Sequence, residues 1–280
     1  VLRARRRHAQ TDLMARPPTR LVEPIPGDPA ATATVGDERV LLVADYHAGI
    51  EAGLRHERGV ELPTNAERRR QRVLALLAET DADRLVVLGD LGHQIGGADG
   101  VEREELDALY EAVVVDRDVA ITVAPGNHDG ELPTLFGDRE GVTILPASGG
   151  TLGEPPATLG VLHGHTWPDP ALLSATTICM GHEHPQVKLE DSVGGYRVEQ
   201  AWLRGRVAPT ALVDADPAAL PDAAADPPAL VVCPAFNERS GGTWINADGQ
   251  SFLAPFLPAG LSDAECYLLD GTRLGPYQRV

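Results

Sequence analysis

Five short apolar runs in this chain each stop abruptly at a cluster of Asp, Asn, His or Gly. Arg39–Ala44 leads into Asp45-Tyr46-His47, and Arg84–Leu88 leads into Gly89-Asp90. Val119–Ala124 leads into Gly126-Asn127-His128-Asp129, Thr158–Leu162 into His163, and Thr177–Met180 into Gly181-His182-Glu183-His184. Short apolar runs closed by turn residues read as buried strands. Helical patterns separate the first three. One opens at a capping-box signature, Thr64 with Glu67 three residues on, and carries Val73, Leu74, Leu76 and Leu77; the other spans about Val101–Val115 with Leu106, Leu109 and Val113 at helical spacing. The alternation from Glu38 onward predicts an α/β sheet, whose ligands bind beyond the carboxyl ends of its strands. Every polar cluster falls at such an end.

The residue types suit a cation. Histidine is a common metal ligand, and carboxylate and amide oxygens complete a hard or borderline donor set. In an extended segment residues i and i+2 project to one side, so Asp45 with His47, and His182 with His184, can each act together. Asp90 has two carboxylate oxygens, enough to bridge a pair of ions. Two dications carry +4 against −2 from Asp45 and Asp90, leaving a positive pocket for an anionic phosphate and for water activation.

Taken in order, Asp45-x-His47, Gly89-Asp90, Gly126-Asn127-His128-Asp129, His163 and Gly181-His182-x-His184 resemble the signature of calcineurin-like metallophosphoesterases, over about Val40 to Pro185. Gly89-Asp90-Leu91-Gly92-His93 resembles the version in SbcD-type nucleases and archaeal SbcD-related phosphoesterases; Pro234-Ala235-Phe236-Asn237 and Gly241-Gly242 resemble the latter group. The resemblance implies a four-layer α/β/β/α sandwich of two mixed sheets. It implies one ion on Asp45, His47, Asp90 and His184 and a second on Asp90, Asn127, His163 and His182. Manganese is the usual occupant in the family, with iron, zinc and other dications also used. His128 becomes the general acid or transition-state contact, oriented by Asp129. Many members carry an acid where this chain has His93, which either faces the substrate or supports a ligand. The implied activity is hydrolysis of phosphodiester or phosphomonoester bonds by a metal-activated hydroxide, with nucleotides or single-stranded nucleic acid among the substrates. A non-catalytic scaffold of the same fold is the alternative; it predicts eroded ligand positions, and all of them are present.

The remaining sequence sets the context. Residues 1–35 are Arg-, Pro- and Ala-rich at their start and read as a poorly ordered segment, with Met14 as an alternative coding start. Residues 36–280 read as one domain carrying a flexible Ala/Pro/Asp-rich insertion at about 207–228. Further strands are expected near Tyr196–Leu203, Ala229–Val232, Gly242–Asn246 and Ala264–Leu269. The stretch Ala48–Pro63 reads as a long polar loop whose Arg55, His56 and Arg58 either grip phosphate or stay solvated. Arg68, Arg69, Arg70 and Arg72 form a charged helix face. His165 is an alternative to His163 as ligand. Cys179, Cys233 and Cys266 have no ligand spacing and read as buried thiols of a reducing compartment. No apolar run reaches the roughly 20 residues that span a bilayer, so a cytoplasmic location without membrane partners is expected. The net charge is −17 and Lys188 is the only lysine. Adaptation to molar salt and an acidic protein of a GC-rich genome both account for that; either disfavours long-range attraction to nucleic acid. Oligomeric state is left open.

Overall fold

A computed structural model describes residues 21–95, 100–191, 193–211, 227–247, 249 and 251–280. The first sheet contains six strands: β1 (Val22–Pro24), β2 (Ala30–Val35), β3 (Glu38–Val43), β4 (Arg84–Val87), β5 (Ala120–Val123) and β6 (Val142–Ile144), adjacent in that order. β1 to β3 pair antiparallel, and β3 to β6 pair parallel. The second sheet contains β7 (Gly150–Leu152), β8 (Leu159–Leu162), β9 (Thr177–Met180), β10 (Gln186–Glu190), β11 (Tyr196–Val207), β12 (Ala229–Val232), β13 (Leu261–Leu268) and β14 (Arg273–Pro276). Its order is β14-β13-β11-β12-β9-β8-β7, with β10 as a hairpin partner of β11. Among the described residues, its parallel strand pairs are β12-β9 and β9-β8.

The sheets pack face to face. Val40, Leu42, Val86 and Leu88 of the first meet Val161, Cys179, Trp202 and Val231 of the second. The four helices α1 (Ile50–Arg58), α2 (Ala66–Thr80), α3 (Gly100–Tyr110) and α4 (Leu132–Phe136) belong with the first sheet, where Val73, Leu77, Leu106, Leu109 and Phe136 cover Leu41, Val87 and Ile121. On the second sheet the outer cover comes from short 3₁₀ turns and irregular chain, including Leu172, Phe256 and Tyr277. The two-sheet sandwich expected from the sequence is therefore present, with its α-helices concentrated on one side. All three cysteines are buried and free.

Several local expectations change. Residues 22–35 form a paired hairpin against β3 rather than a disordered lead; Ala30, Ala31 and Ala33 are buried, but alanine carries little strand signal in sequence. Residues 1–20 lie outside the described residues, as does most of the expected insertion. The expected loop Ala48–Pro63 contains α1. Its apolar stripe is too short to register as periodic; basic Arg55, His56 and Arg58 in the last turn complement the helix dipole instead. At α2 the capping box does not close. Thr64 Oγ1 accepts from the Ala66 amide, while Glu67 bonds Gln71 and Arg70. The predicted helix to Val115 ends at Tyr110 and continues as a π-turn over Glu111–Val115. In Gly242–Asn246 only a single bridge forms, Gln186 to Trp244.

Candidate metal centre

The carboxyl ends of β3, β4 and β5 meet those of β8, β9 and β12 along one rim, and every residue predicted for the site lies there. Chain pairing continues past the strand ends. The Asp45 amide donates to the Gly89 carbonyl at 3.1 Å, the His47 amide to Asp90 at 2.8 Å and the Asn237 amide to Asp45 at 3.2 Å. The His182 amide donates to the Asp45 carboxylate at 3.2 Å, tying the second sheet's motif to the first's.

The backbone reaches this geometry by a route the sequence reading did not foresee. Asp45, His47, Asp90, His182 and His184 all have positive φ, between 42° and 70°. They are left-handed turns, not extended segments, so the same-side rule for i and i+2 is not what brings them together. Such a conformation costs on the order of 1–3 kcal/mol per non-glycine residue and persists where its surroundings over-determine it. The motif glycines supply the surroundings' tightness. A Cβ on Gly126 would sit 2.0 Å from Asp90 Oδ1, and one on Gly89 would sit 2.2 Å from His163 Nδ1.

Two compact groups result. Asp45, His47 and His184 present ligand atoms within 4.8 Å of one another, and so do Asp45, Asp90 and His163. Asp45 is common to both, whereas the sequence reading made Asp90 the shared residue. Asp90 nonetheless lies between the groups, its Oδ2 3.9 Å from His47 Nε2 and its Oδ1 3.5 Å from His163 Nε2. Around His163 Nε2 lie Asn127 Oδ1 at 3.3 Å and His182 Nδ1 at 3.0 Å. Donors that share an ion at about 2.0–2.2 Å are themselves roughly 3–3.5 Å apart, so this packing is that of ligands around a cation.

Proton accounting supports the same reading. A carbonyl can only accept, so His163 spends its Nδ1–H on Leu88 O at 3.0 Å. With Nδ1 so engaged, the ring turns Nε2 toward Asp90 Oδ1, Asn127 Oδ1 and His182 Nδ1, where the same atom can serve a cation. His184 likewise donates Nδ1–H to Gly241 O at 2.7 Å and directs Nε2 to Asp45 Oδ1 at 3.1 Å. The residues present therefore fit divalent metal.

Titration follows from burial and charge. Burial holds His47 and His182 neutral, with pKa values pushed down to about 3, the form that binds metal. Burial would raise Asp45, but His184, His163 and His47 together outweigh it and hold the carboxyl at about 2. Burial also opposes charge on His184, yet Asp45 lifts it to about 9. Asp90 rises to about 6 through burial, with Asp45 adding repulsion that the nearby histidines only partly offset.

His128, Asp129 and His93 border the ligands. His128 donates its backbone N–H to Asp90 Oδ1 at 3.1 Å, and its Nε2 is 3.9 Å from Asp90 Oδ2. Its Nδ1 bonds the His93 carbonyl. Asp129, expected to orient His128, is turned elsewhere: it accepts from the amides of Gly126, Gly92 and Leu91 and so fixes the loops after β4 and β5. His93 Nδ1 is 3.4 Å from His47 Nδ1 and its ring stacks on His128, which places it as support for both. His165 lies beside His163 and His182, ring centroids 5.3 and 6.2 Å away, and belongs to neither compact group. Arg55, His56 and Arg58 form the last turn of α1. Arg69 is buried between Glu51 and Glu105.

Two supporting residues escaped sequence reasoning. Glu183, fully buried between the two histidines of its motif, accepts from the Leu253 and Ala254 amides and from Thr243 Oγ1. Asn237 donates its side-chain N–H to the carbonyl of Tyr46 at 3.1 Å. A buried Glu between two metal-type histidines was the available signal for the first.

The sequence profile of calcineurin-like phosphoesterases matches residues 38–207, well over half of the chain. The chain belongs to the calcineurin-like phosphoesterase family. Among solved structures this family member is similar to the nuclease MPE of Pseudomonas putida, at 19% identity over 89% of this chain and 97% of that one, with a TM-score of 0.51. It is also similar to the phosphoesterase Yfce of E. coli, at 20% identity over 55% of this chain and 74% of that one, with a TM-score of 0.33. A comparison with curated proteins gave no match. No described helix is long and apolar enough to cross a membrane.

Proposed function

We propose that this calcineurin-like phosphoesterase is a dinuclear, metal-dependent hydrolase of phosphodiester or phosphomonoester bonds, with nucleotides or nucleic acid as its substrate class. The observation that carries the reading is the pair of overlapping ligand groups joined through Asp45, with Asp90 lying between them. Asp45, His47 and His184 would hold one ion. Asp90, within reach of His47, would join them on that ion and, with Asn127, His163 and His182, would hold the other, Asp45 lying beside both; manganese is the first metal to try. When bound, the ions supply Lewis-acid neutralisation of phosphate charge and lower the pKa of water toward neutrality.

The chain's own groups do the rest. Leu88 O and Gly241 O fix the tautomers of His163 and His184, so that each presents Nε2. His128 stands at the rim with its Nδ1 tied to the His93 carbonyl; in the doubly protonated ring Nε2–H would pass its proton to the leaving oxygen, returning the ring to the neutral Nδ1–H tautomer. The nuclease reading within this class is supported by the overall similarity to the Pseudomonas putida nuclease MPE and by the resemblance of the His93 motif to SbcD-type enzymes. The net charge of −17 makes salt an assay variable.

The test is turnover of bis-p-nitrophenyl phosphate, p-nitrophenyl phosphate and single-stranded DNA with manganese, in low and molar salt. Metal-dependent hydrolysis that falls by about 100-fold or more in His128→Ala is expected. Absence of turnover with all three, at two bound ions per chain, would favour a non-catalytic scaffold.

A further inference from the structure

Glu102 lies in the first turn of α3 and is 1% exposed. Among the described residues no Arg or Lys pairs with it. Its carboxylate accepts from two consecutive backbone amides of the loop after β4, His93 at 3.2 Å and Gln94 at 3.0 Å. The fit is tight. A Cβ on Gly92 would lie 2.5 Å from Glu102 Oε1, and one on Gly49 would lie 2.6 Å from its Cβ. A buried carboxylate without a cation is costly, and two charge-assisted bonds to one loop account for its retention.

What that loop holds is the His93 carbonyl that bonds His128 Nδ1, together with the His93 ring stacked on His128 at 5.5 Å and 8°. We propose that Glu102 is the positioning residue for His128: it fixes the His93 backbone, whose carbonyl orients the imidazole and leaves Nε2 facing the substrate. The inference rests on the reading of His128 as proton donor. It also explains how His128 is oriented while Asp129 is engaged with backbone amides. Burial pushes the Glu102 carboxyl up to about 7, so the clamp is complete only above that pH.

The test compares wild type, Glu102→Gln, Glu102→Ala, His128→Ala and the Glu102→Ala/His128→Ala double variant. All are saturated with manganese and assayed on bis-p-nitrophenyl phosphate and on diphenyl phosphate, whose leaving group is poorer. Glu102→Ala is expected to lower kcat at least tenfold with KM within twofold and bound manganese unchanged. The loss should be larger on diphenyl phosphate, where protonation of the leaving oxygen matters more. Glu102→Gln, which keeps one acceptor, should recover part of it, and the double variant should be no slower than His128→Ala alone. Independently of activity, ¹⁵N NMR of the metal-free protein should show His128 as the Nδ1–H tautomer in wild type and a tautomer mixture in Glu102→Ala. Equal losses on both substrates, additivity with His128→Ala, or an unchanged tautomer in Glu102→Gln and Glu102→Ala alike would overturn the proposal; Glu102→Gln, nearly isosteric, carries the comparison if Glu102→Ala does not fold. An inert wild type, or His128→Ala as active as wild type, would instead remove the reading beneath it.

Discussion

The two sheets deliver metal-type ligands to the same rim but secure them differently. In the first, the loops after β3 and β4 are held by carboxylates projecting from the adjacent helix: Glu105 accepts from the Gly49 amide at 2.8 Å, and Glu102 accepts from His93 and Gln94. Glu105 is itself braced by buried Arg69. In the second sheet, among the described residues, no α-helix stands behind the motif. Glu183, within it, reaches out to the amides of Leu253 and Ala254, 70 and 71 residues on. The same left-handed backbone is thus stabilised by carboxylates of one packed helix on one side and by a closing segment of irregular chain on the other. A helix-borne clamp forms with its own sheet, whereas the second side's clamp requires Thr243, Leu253 and Ala254 to be in place, which makes it the side expected to open first.

Substitutions can break this contrast. The largest effect is expected where the two sides meet: Asp45→Asn removes the residue common to both groups, and activity should fall at least about a thousandfold because several kcal/mol of charge stabilisation is lost. Metal analysis by mass spectrometry should show fewer than two ions per chain; two retained ions would sink the shared role. Next, Glu105→Ala leaves Arg69 buried with only Glu51, at 3.3 Å, and should cost about 3 kcal/mol in denaturant unfolding. Glu183→Gln should cost less, about 1–3 kcal/mol, since one amide keeps a partner. Hydrogen exchange should speed up at Leu253 and Ala254 without changing at Gly49, and uniform acceleration would erase the distinction between the sides. The smallest effect is one of pH. In the metal-free protein His184 has its pKa raised to about 9, so its contribution to stability is full below the unfolded value near 6.5 and is lost as pH rises through 9. A cation at this position must displace that proton, so apparent manganese affinity should rise about tenfold per pH unit between 7 and 9 and then level off. A flat titration would mean that His184 is not a ligand.

Legibility in the sequence follows the same division. On the helical side, β3, β4 and β5 announce themselves through short apolar runs, with ends within a residue or two of those expected, and α2 through helical spacing and a start within two residues of Thr64. On the other side β8, β9 and β12 were equally plain, because buried parallel strands are continuously apolar. The strand in Gly242–Asn246 was not there, since its pairing depends on Gln186 and on Glu183 contacts that no local pattern encodes. The alanine-rich hairpin of β1 and β2 was invisible for want of large side chains, and α1 for want of length. In the site itself, every expected ligand reached the rim. What the sequence could not reveal was the backbone conformation that directs Asp45, His47, His182 and His184, or which carboxylate touches which ring. Those depend on groups dozens of residues away.

The left-handed turns limit how this centre could be rebuilt. Asp, Asn and His are the non-glycine residues that most readily adopt that conformation, and they are also hard or borderline donors. Backbone shape and coordination chemistry therefore draw on one short list at Asp45, His47, Asp90, His182 and His184. A thiolate or glutamate introduced at any of them would be opposed by its own main chain before a metal was offered. Respecifying the ion would have to begin at Asn127 or His163, which are not among the positive-φ residues.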